Sequence, residues 1–391
     1  MPQPPLHGVR VIELARILAG PWAGQVLADL GADVIKVENP DGGDDTRKWG
    51  PPFVTGQDGE NLSAAYYHAC NRGKRSIAVD FSTPGGAETV RKLVATADVL
   101  IENFKLGGLK KYGLDYESVK KLNPKLVYCS ITGFGQDGPY APRAGYDFIV
   151  QGMSGLMSIT GPAGGEPQKV GVAVTDLFSG LYSVIAIQAA LRHAEATGQG
   201  QHIDMALFDT QVSVLANQNL NFLVSGKSPV QMGNAHPNIA PYEVLPAADG
   251  HFILAVGNDG QFQKFCKVVG LDALPIDPDF ATNAARVANR ERLRESMIAA
   301  LARFERDALL AKLDAAGVPA SPINTIGEMF SDPQVLARGM RMDLDDGHGN
   351  RRPSVRSQMV LSATPLSYLR PSPRLGEHTA EMRAELEKPT R

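Results

Sequence analysis

Val9-Arg10-Val11-Ile12-Glu13-Leu14, Ala19-Gly20-Pro21, Trp22 to Leu30, Gly31 and Asp33-Val34-Ile35-Lys36-Val37-Glu38 read in turn as a strand, a turn, a helix, a stop and a second strand. Proline suits the first helical position and glycine the residue just past a helix end. The stretch is therefore a βαβ unit, and a second α/β passage follows it. Ser76-Ile77-Ala78-Val79-Asp80 reads as a strand, the Thr83 to Ala97 region as a helix, and Asp98 to Glu102 and Leu126 to Ile131 as two more strands. Strands alternating with helices predict an α/β fold, a Rossmann-like parallel sheet covered on both faces. The glycines argue against a dinucleotide site. Gly20 and Gly24 follow the first strand, but no G-x-G-x-x-G is present, although Glu38 lies about where a ribose-binding acid would. No P-loop sequence occurs either.

Further along, Leu177 to about Ala196 reads as one long helix that Gly198 stops, and a second helical stretch runs from about Leu207 to Leu223. Gly226 to Pro241 is rich in Gly, Pro, Asn and Ser, the composition of a linker or active-site loop. Beyond it, Tyr242 to Leu245, the Asp249-Gly250 turn and His251 to Val256 form a hairpin pattern. Helices follow around Gln261–Val269 and Arg290–Ala316. The expected division is a large α/β domain over 1–200, a helical linker over 201–225, a smaller α+β domain over 226–325 and a C-terminal segment over 326–391. That last segment carries a short Val355–Leu361 strand and a helix near Glu377–Glu387.

The chain has 391 residues, 43% hydrophobic and 21% charged, with a net charge of −3. Such a balance lacks the basic stripe that nucleic acid or an anionic membrane surface calls for, so neither is an expected partner. Cys70, Cys129 and Cys266 are far apart, with no CxxC and no Cys/His spacing suited to zinc. A reducing, cytoplasmic setting without a metal is the expectation. No signal-peptide plan opens the chain, and no uninterrupted apolar run nears the length of a membrane span.

Asp176 lies in Gly171-Val172-Ala173-Val174-Thr175-Asp176-Leu177-Phe178-Ser179-Gly180, where a small apolar stretch becomes the long helix. An acid there can cap the helix, since orphan N–H groups and the positive end of the dipole both favour it. The same place keeps a carboxylate ionised and pointed outward, as a carboxylate nucleophile requires.

Several segments decide between these roles. Arg16 to Pro21, Gly31 to Glu38, Asn71 to Ile77, Glu102-Asn103-Phe104, Arg143 to Asp147, Thr175-Asp176, Thr197 to Gln201 and Leu375 to Thr379 occur in the order found in the family III CoA-transferases (CaiB/BaiF type), which the chain resembles from about residue 6 to 380. Asp44 to Arg47, Trp49 to Phe53 and Tyr128 to Gly133 resemble the branch that moves CoA from succinyl-CoA to dicarboxylic acids such as glutarate and hydroxymethylglutarate. The resemblance implies the family's fold, an interlocked homodimer, and a C-terminal segment that returns to the large domain. It also implies that Asp176 is the nucleophile and passes through an aspartyl–CoA thioester. A carboxylate suits that course, because it is a leaving group as well as a nucleophile and every intermediate stays activated.

The resemblance carries further residues over by position. Ile17 and Leu18 would lie along the pantetheine and thioester, with Leu18 standing where formyl-CoA transferases have Gln. Val79, Asp80, Phe81 and Ser82 match the adenine pocket, with Asn103, Phe104 and Lys105 after the next strand and Lys111 as a phosphate partner. Asn39 stands where relatives commonly have a cation, leaving Arg47, Arg72, Lys74 or Arg75 as substitutes. Ala144, Gly145, Tyr146 and Asp147 match the segment that approaches the thioester. Racemases of α-methylacyl-CoA, the alternative reading, resemble this segment with His at Tyr146, because they need a base for the α-proton. Arg143, Asn234 and His236 are candidate contacts for the acid substrate, and a CoA-binding protein without turnover is the third reading.

Overall fold

The computed structural model describes residues 2–387. Its core is a sheet of six parallel strands: β1 (Arg10–Glu13), β2 (Asp33–Glu38), β5 (Arg75–Ala78), β6 (Val99–Glu102), β7 (Val127–Thr132) and β8 (His202–Ala206). Between β2 and β5 the short β3 (Phe53–Thr55) and β4 (Asn61–Ala64) pair with each other. The sheet order is β5-β2-β1-β6-β7-β8. Order therefore reverses between β1 and β6, and open α/β sheets bind ligands beyond the strand C-termini at such a reversal.

Helices cover both faces. In chain order the helices up to residue 214 are α1 (Ala19–Asp29), α2 (Ala65–Ala69), α3 (Pro84–Ala95), α4 (Tyr116–Val119), α5 (Asp147–Met153), α6 (Leu156–Ile159), α7 (Val174–Thr197) and α8 (Leu207–Val214), and of these α1 and α7 lie on one face and α3 and α4 on the other. Val11, Ile101, Val127 and Ile131 face α1 and α7 on one side; Ile12, Ile35, Ile77 and Leu100 face α3 and α4 on the other. The helix that starts the fold begins at Ala19, three residues before the Trp22 expected from the pattern. Leu18 is its N-cap, without a side-chain cap bond. α7 is long and apolar enough to cross a membrane by length and composition alone. It is nevertheless a packed core helix on one side: Ser183, Val184, Ile187 and Leu191 are buried, and a Cβ on Gly180 would sit 2.7 Å from the Ala19 carbonyl oxygen.

The chain divides into two compact units. One holds the residues up to Leu156, Val170–Leu220 and those from Pro333 onward; the other holds Met157–Lys169 and Asn221–Asp332. Residues 201–225 differ from the helical linker expected there. His202–Ala206 is β8, paired in parallel with β7 from Tyr128↔His202 to Thr132↔Ala206. A half-exposed edge strand with His and Asp among its residues lacks the continuous apolar run by which its neighbours were read. The second unit has an antiparallel sheet built on the expected hairpin, β9 (Tyr242–Pro246) with β10 (His251–Ala255), and β11 (Ala320–Pro322) on the far side of β10. Phe252, Phe262, Phe265, Leu293 and Leu309 fill its own core. The strand expected at Val355–Leu361 lies earlier: β12 (Arg341–Asp345) pairs with β13 (Arg351–Val355).

The C-terminal stretch covers the free edge of the large sheet. The His378 N–H donates to the Ser76 carbonyl (2.9 Å), the Ala78 N–H to Thr379 Oγ1 (3.0 Å) and the Gly376 N–H to Ser76 Oγ (2.9 Å). From the helix Thr379–Glu387, Glu381 and Glu385 reach Arg75 at 2.9 and 2.7 Å. An edge strand left bare would be a template for pairing with another chain.

His68 on α2 ties the same unit together. Its Nδ1 meets Ser372 Oγ at 2.5 Å and its Nε2 the Leu62 carbonyl at 2.9 Å. Burial first, then the Arg352 and Arg47 charges, lower its pKa from 6.5 to about 4. The unfolded chain therefore takes up this proton more readily than the fold. The contribution is complete above pH 6.5 and lost as pH falls from there to about 4, amounting to about 3 kcal/mol. Chemical denaturation at pH 7.0, 5.5 and 4.5 should show a loss that His68→Asn flattens; equal slopes for both proteins would contradict it.

Candidate active site

The β1–α1 loop is the first part of the site. After Glu13 the chain runs through Leu14, Ala15, Arg16, Ile17 and Leu18 into α1. Ile17 has φ +72°, a conformation that β-branched residues avoid. The Asn103 side chain, just past β6, grips Arg16 on both sides: its Oδ1 accepts from the Arg16 N–H (3.0 Å) and its Nδ2 donates to the Arg16 carbonyl (2.7 Å). The amide of Asn103 is thus spent on the loop. Leu18 is buried.

Beside this loop, a cleft of about 240 Å³ lies over the C-terminal ends of β1, β2 and β5, lined among others by Arg16, Asn39, Val79, Asp80, Phe81, Ser82 and Phe104. The structure thus brings the expected adenine-pocket residues together. Phe81 meets Phe104 and Tyr112 edge-on at 5.7 and 5.5 Å, and Asp80 Oδ1 accepts from the Ser82 N–H at 2.9 Å. A neighbouring cleft of about 210 Å³ is lined by Glu102, Phe104, Lys105, Lys110, Tyr116, Ser130 and His202. Here Glu102 Oε2 accepts from the Phe104 N–H at 2.7 Å, and burial pushes its carboxyl up to about 7. Lys111 lies outside both linings, 4.7 Å from the Tyr112 ring centroid.

The four cations considered as substitutes at Asn39 are not available. Arg47 is paired with Glu38 at 2.7 Å, Arg72 with Asp29 at 2.6 Å, Lys74 with Glu13 at 2.8 Å and Arg75 with Asp33 at 2.5 Å. All four are buried. Lys105, Lys110 and Lys111 are exposed cations on this side of the sheet.

Asp176 occupies the third position of α7, whose N-cap, Ala173, makes no side-chain cap bond. The cap is supplied by Asp147, at the start of α5. Its Oδ1 accepts from the Thr175 N–H at 2.8 Å and the Asp176 N–H at 3.3 Å. Its Oδ2 accepts from Gln151 Nε2 at 2.6 Å, and Gln211 on α8 holds Thr175 Oγ1 at 2.7 Å. The reading of Asp176 as the helix cap is therefore corrected, because Asp147 does the capping and leaves the Asp176 carboxyl outside that network. The charge state is corrected as well. Burial, and then the like charge of Asp147, push the Asp176 carboxyl up to about 7, so the helix start does not keep it fully ionised.

Tyr66, which the motifs did not single out, lies within electrostatic reach of the same group. Burial pushes its phenol up to about 12, with Asp176 the next cause and Cys70, Asp147 and Asp44 after it. Trp49 stands edge-on to it at 5.4 Å. Tyr146 is the N-cap of α5 and is 62% exposed. Gly145 has a steric reason to be glycine, since a Cβ there would sit 2.4 Å from the Gly133 Cα. Arg143 spreads its guanidinium over the rings of Tyr140 (4.6 Å) and Phe134 (5.6 Å). Asn234 and His236 belong to the second unit. The His236 ring accepts from the Asn238 N–H at 3.1 Å and tilts against Tyr242 at 5.3 Å, while its carbonyl accepts from Arg290 at 3.2 Å. Asn234 lines a 440 Å³ cavity of that unit together with His251, Arg290 and Arg294.

A parallel sheet in this order, with clefts above its C-terminal edge and the Asp147 and Asp176 carboxyls together at helix starts, is an α/β frame with its ligand-binding edge beyond the strand C-termini. The chain belongs to CoA-transferase family III, whose model matches residues 6–379, and it is a CoA-transferase acting on CoA thioesters. It is 64% identical over 385 residues to the succinate–glutarate CoA-transferase of Agrobacterium fabrum, covering 98% of this chain and 96% of that one. It is 42% identical over 382 residues to the succinyl-CoA:glutarate CoA-transferase of Mus musculus, covering 98% and 86%. Among solved structures, a CaiB/BaiF family protein from Brucella suis superposes with a TM-score of 0.88 at 60% identity, covering 99% of this chain and all of that one.

Proposed function

We propose that this chain moves CoA from succinyl-CoA to a dicarboxylic acid of the glutarate class, with Asp176 as the covalent nucleophile. The observation that carries the residue assignment is the Asp147 cap, which frees the Asp176 carboxyl at the head of α7. An Asp176 oxygen attacks the thioester carbonyl and CoA thiolate leaves, giving a succinyl–aspartyl anhydride. The thiolate attacks the aspartyl carbonyl and succinate departs, leaving an aspartyl–CoA thioester. The acceptor carboxylate then attacks that carbonyl and CoA thiolate leaves, giving a second anhydride between the acceptor and Asp176. The thiolate takes the acceptor's acyl group and returns Asp176 as a carboxylate, with no net proton gained or lost.

In this reading Ile17 and Leu18 face the thioester, and the cleft of Val79, Asp80, Phe81, Ser82 and Phe104 takes the adenine. Lys105, Lys110 and Lys111 supply charge for the phosphates, because an ammonium is a compact counter-charge. Incubation with succinyl-CoA and a panel of acids, followed by hydroxylamine, should yield an Asp176 hydroxamate and new acyl-CoA with five-carbon dicarboxylates. Labelling that persists in Asp176→Ala would overturn the assignment.

The enzyme works as a soluble cytoplasmic homodimer. Support comes from the apolar face that α5 and α7 leave open: Tyr146, Phe148, Ile149, Tyr182 and Ile185 are each 42–62% exposed. Large apolar side chains left exposed on two helices that pack together fit an interaction surface. Sedimentation velocity should give twice the chain mass, and Ile185→Asp should shift it toward one; a monomer that retains full activity would sink this part.

A further inference from the structure

Glu13, Lys36, Asp44 and Lys74 are 0–1% exposed, and residues of these types are almost never so deeply buried unless paired. They form one cluster. Lys36 Nζ meets Glu13 Oε1 at 3.0 Å and Asp44 Oδ2 at 2.9 Å, while Lys74 Nζ meets Glu13 Oε2 at 2.8 Å. Burial works against both ammonium charges; Asp44 and Glu13 outweigh it for Lys36, whereas Lys74 remains pushed down. Desolvating such a group is costly, and well-packed hydrocarbon of similar volume is often at least as stabilising. Core stability alone is therefore a weak reason for keeping it.

Beside the bonds that Asp44 Oδ1 accepts from the Thr46 N–H (3.0 Å) and Oγ1 (2.8 Å) and that Lys74 Nζ donates to Asn71 Oδ1 (2.9 Å), three more reach one loop. Lys36 Nζ donates to the Ala15 carbonyl (2.9 Å), Asp44 Oδ1 accepts from the Ile17 N–H (3.3 Å) and Lys74 Nζ donates to the Pro21 carbonyl (2.8 Å). All three land on the backbone of one seven-residue segment, whose centre lies beside Ile17 at φ +72°. Cys70 Sγ reaches the Ile17 carbonyl at 3.6 Å, and Asn103 grips Arg16 from the other side. A strained residue persists only where its surroundings over-determine it.

We propose that the buried Glu13–Lys36–Asp44–Lys74 cluster is a positioning device for the thioester end of the acyl-CoA site, in which Asp44 and Lys36 hold Ile17 in its left-handed conformation and so fix Leu18 against the substrate. This rests on the reading that residues 16–18 face the thioester. The cluster touches no reacting atom; it acts through the loop, by pre-organisation.

The test uses glycine, which takes φ +72° without steric cost. Steady-state kinetics are measured for Asp44→Ala, Ile17→Gly and the double variant, with succinyl-CoA and glutarate. Asp44→Ala should lower kcat by about 10- to 100-fold with a much smaller change in KM, the scale of a misplaced reacting group. Adding Ile17→Gly should restore most of that loss, since the loop then no longer needs to be held. Asn103→Ala, on the accessible side of the loop, should be relieved by Ile17→Gly in the same way and carries the test if Asp44→Ala does not fold. Leu18→Trp checks the underlying reading through KM for succinyl-CoA. If Leu18→Trp raises KM and neither clamp variant is relieved by glycine, the positioning device is refuted while the site reading stands. If Leu18→Trp leaves KM and kcat unchanged, the site reading falls and the positioning device falls with it.

Discussion

Asp176→Asn should abolish CoA transfer, with kcat lower by at least about 10,000-fold, the scale seen when a covalent nucleophile is removed. The substitution keeps the shape of the side chain and the Asp147 cap on the backbone, so the loss reads as chemistry and not as misfolding. Stability should move the other way. The carboxyl is raised from 3.8 to about 7 in the fold, so the folded chain binds this proton more tightly than the unfolded one. Stability contributed by the group is thus present at low pH and lost as pH rises from about 4 to 7. At pH 8 the native protein carries that loss in full, and Asn removes it, for a gain of about 2 kcal/mol after allowing for partial exposure. Urea unfolding of both proteins at pH 5 and pH 8 checks the sign. A variant that is inactive and equally destabilised at both values would mean that Asp176 is structural.

The second large effect concerns Asp147. Its charge helps to raise Asp176 while its oxygens cap α7, and two substitutions separate these roles. Asp147→Asn keeps an acceptor for the Thr175 and Asp176 N–H groups and removes the like charge. The pKa of Asp176 then falls, and the rising limb of kcat/KM against pH, expected near 7 in the native enzyme, moves about one unit to acid. Asp147→Ala also leaves two buried donors without an acceptor. It should cost about 1 kcal/mol of stability as a lost cap and about 100-fold in kcat through misplacement of the nucleophile. Rate profiles from pH 5.5 to 9 decide the matter; coincident profiles for the native and Asn proteins would show that the two carboxyls do not communicate.

The sheet was legible wherever a strand is buried on both faces. β1, β2, β6 and β7 each read as apolar runs, and Gly198 ends α7 in the left-handed conformation its sequence position called for. β8 escaped because an edge strand with His202 and Asp204 carries no such run. Asp176 was singled out through its motif, but its charge state was not legible, since that depends on burial and on Asp147, brought against it by the start of α5. The basic residues illustrate the same limit. Arg47, Arg72, Lys74 and Arg75 look free in sequence, and only the fold reveals Glu38, Asp29, Glu13 and Asp33 beside them. A signal was present in Lys36 and Glu38, charges inside a strand otherwise read as buried, which is the mark of an internal ion network.

The pairing of residues 376–379 with β5 has a consequence for how the chain comes off the ribosome. The large unit lacks one of its borders until Gly376, His378 and Thr379 have been made, whereas Asn221–Asp332, with its own core, is already complete. Domains generally fold as units during synthesis, N-terminal parts first. Here the inserted unit should become protease-resistant before the sheet that was translated ahead of it. The nascent large unit, meanwhile, travels with an open β5 edge until residues 376–379 have emerged.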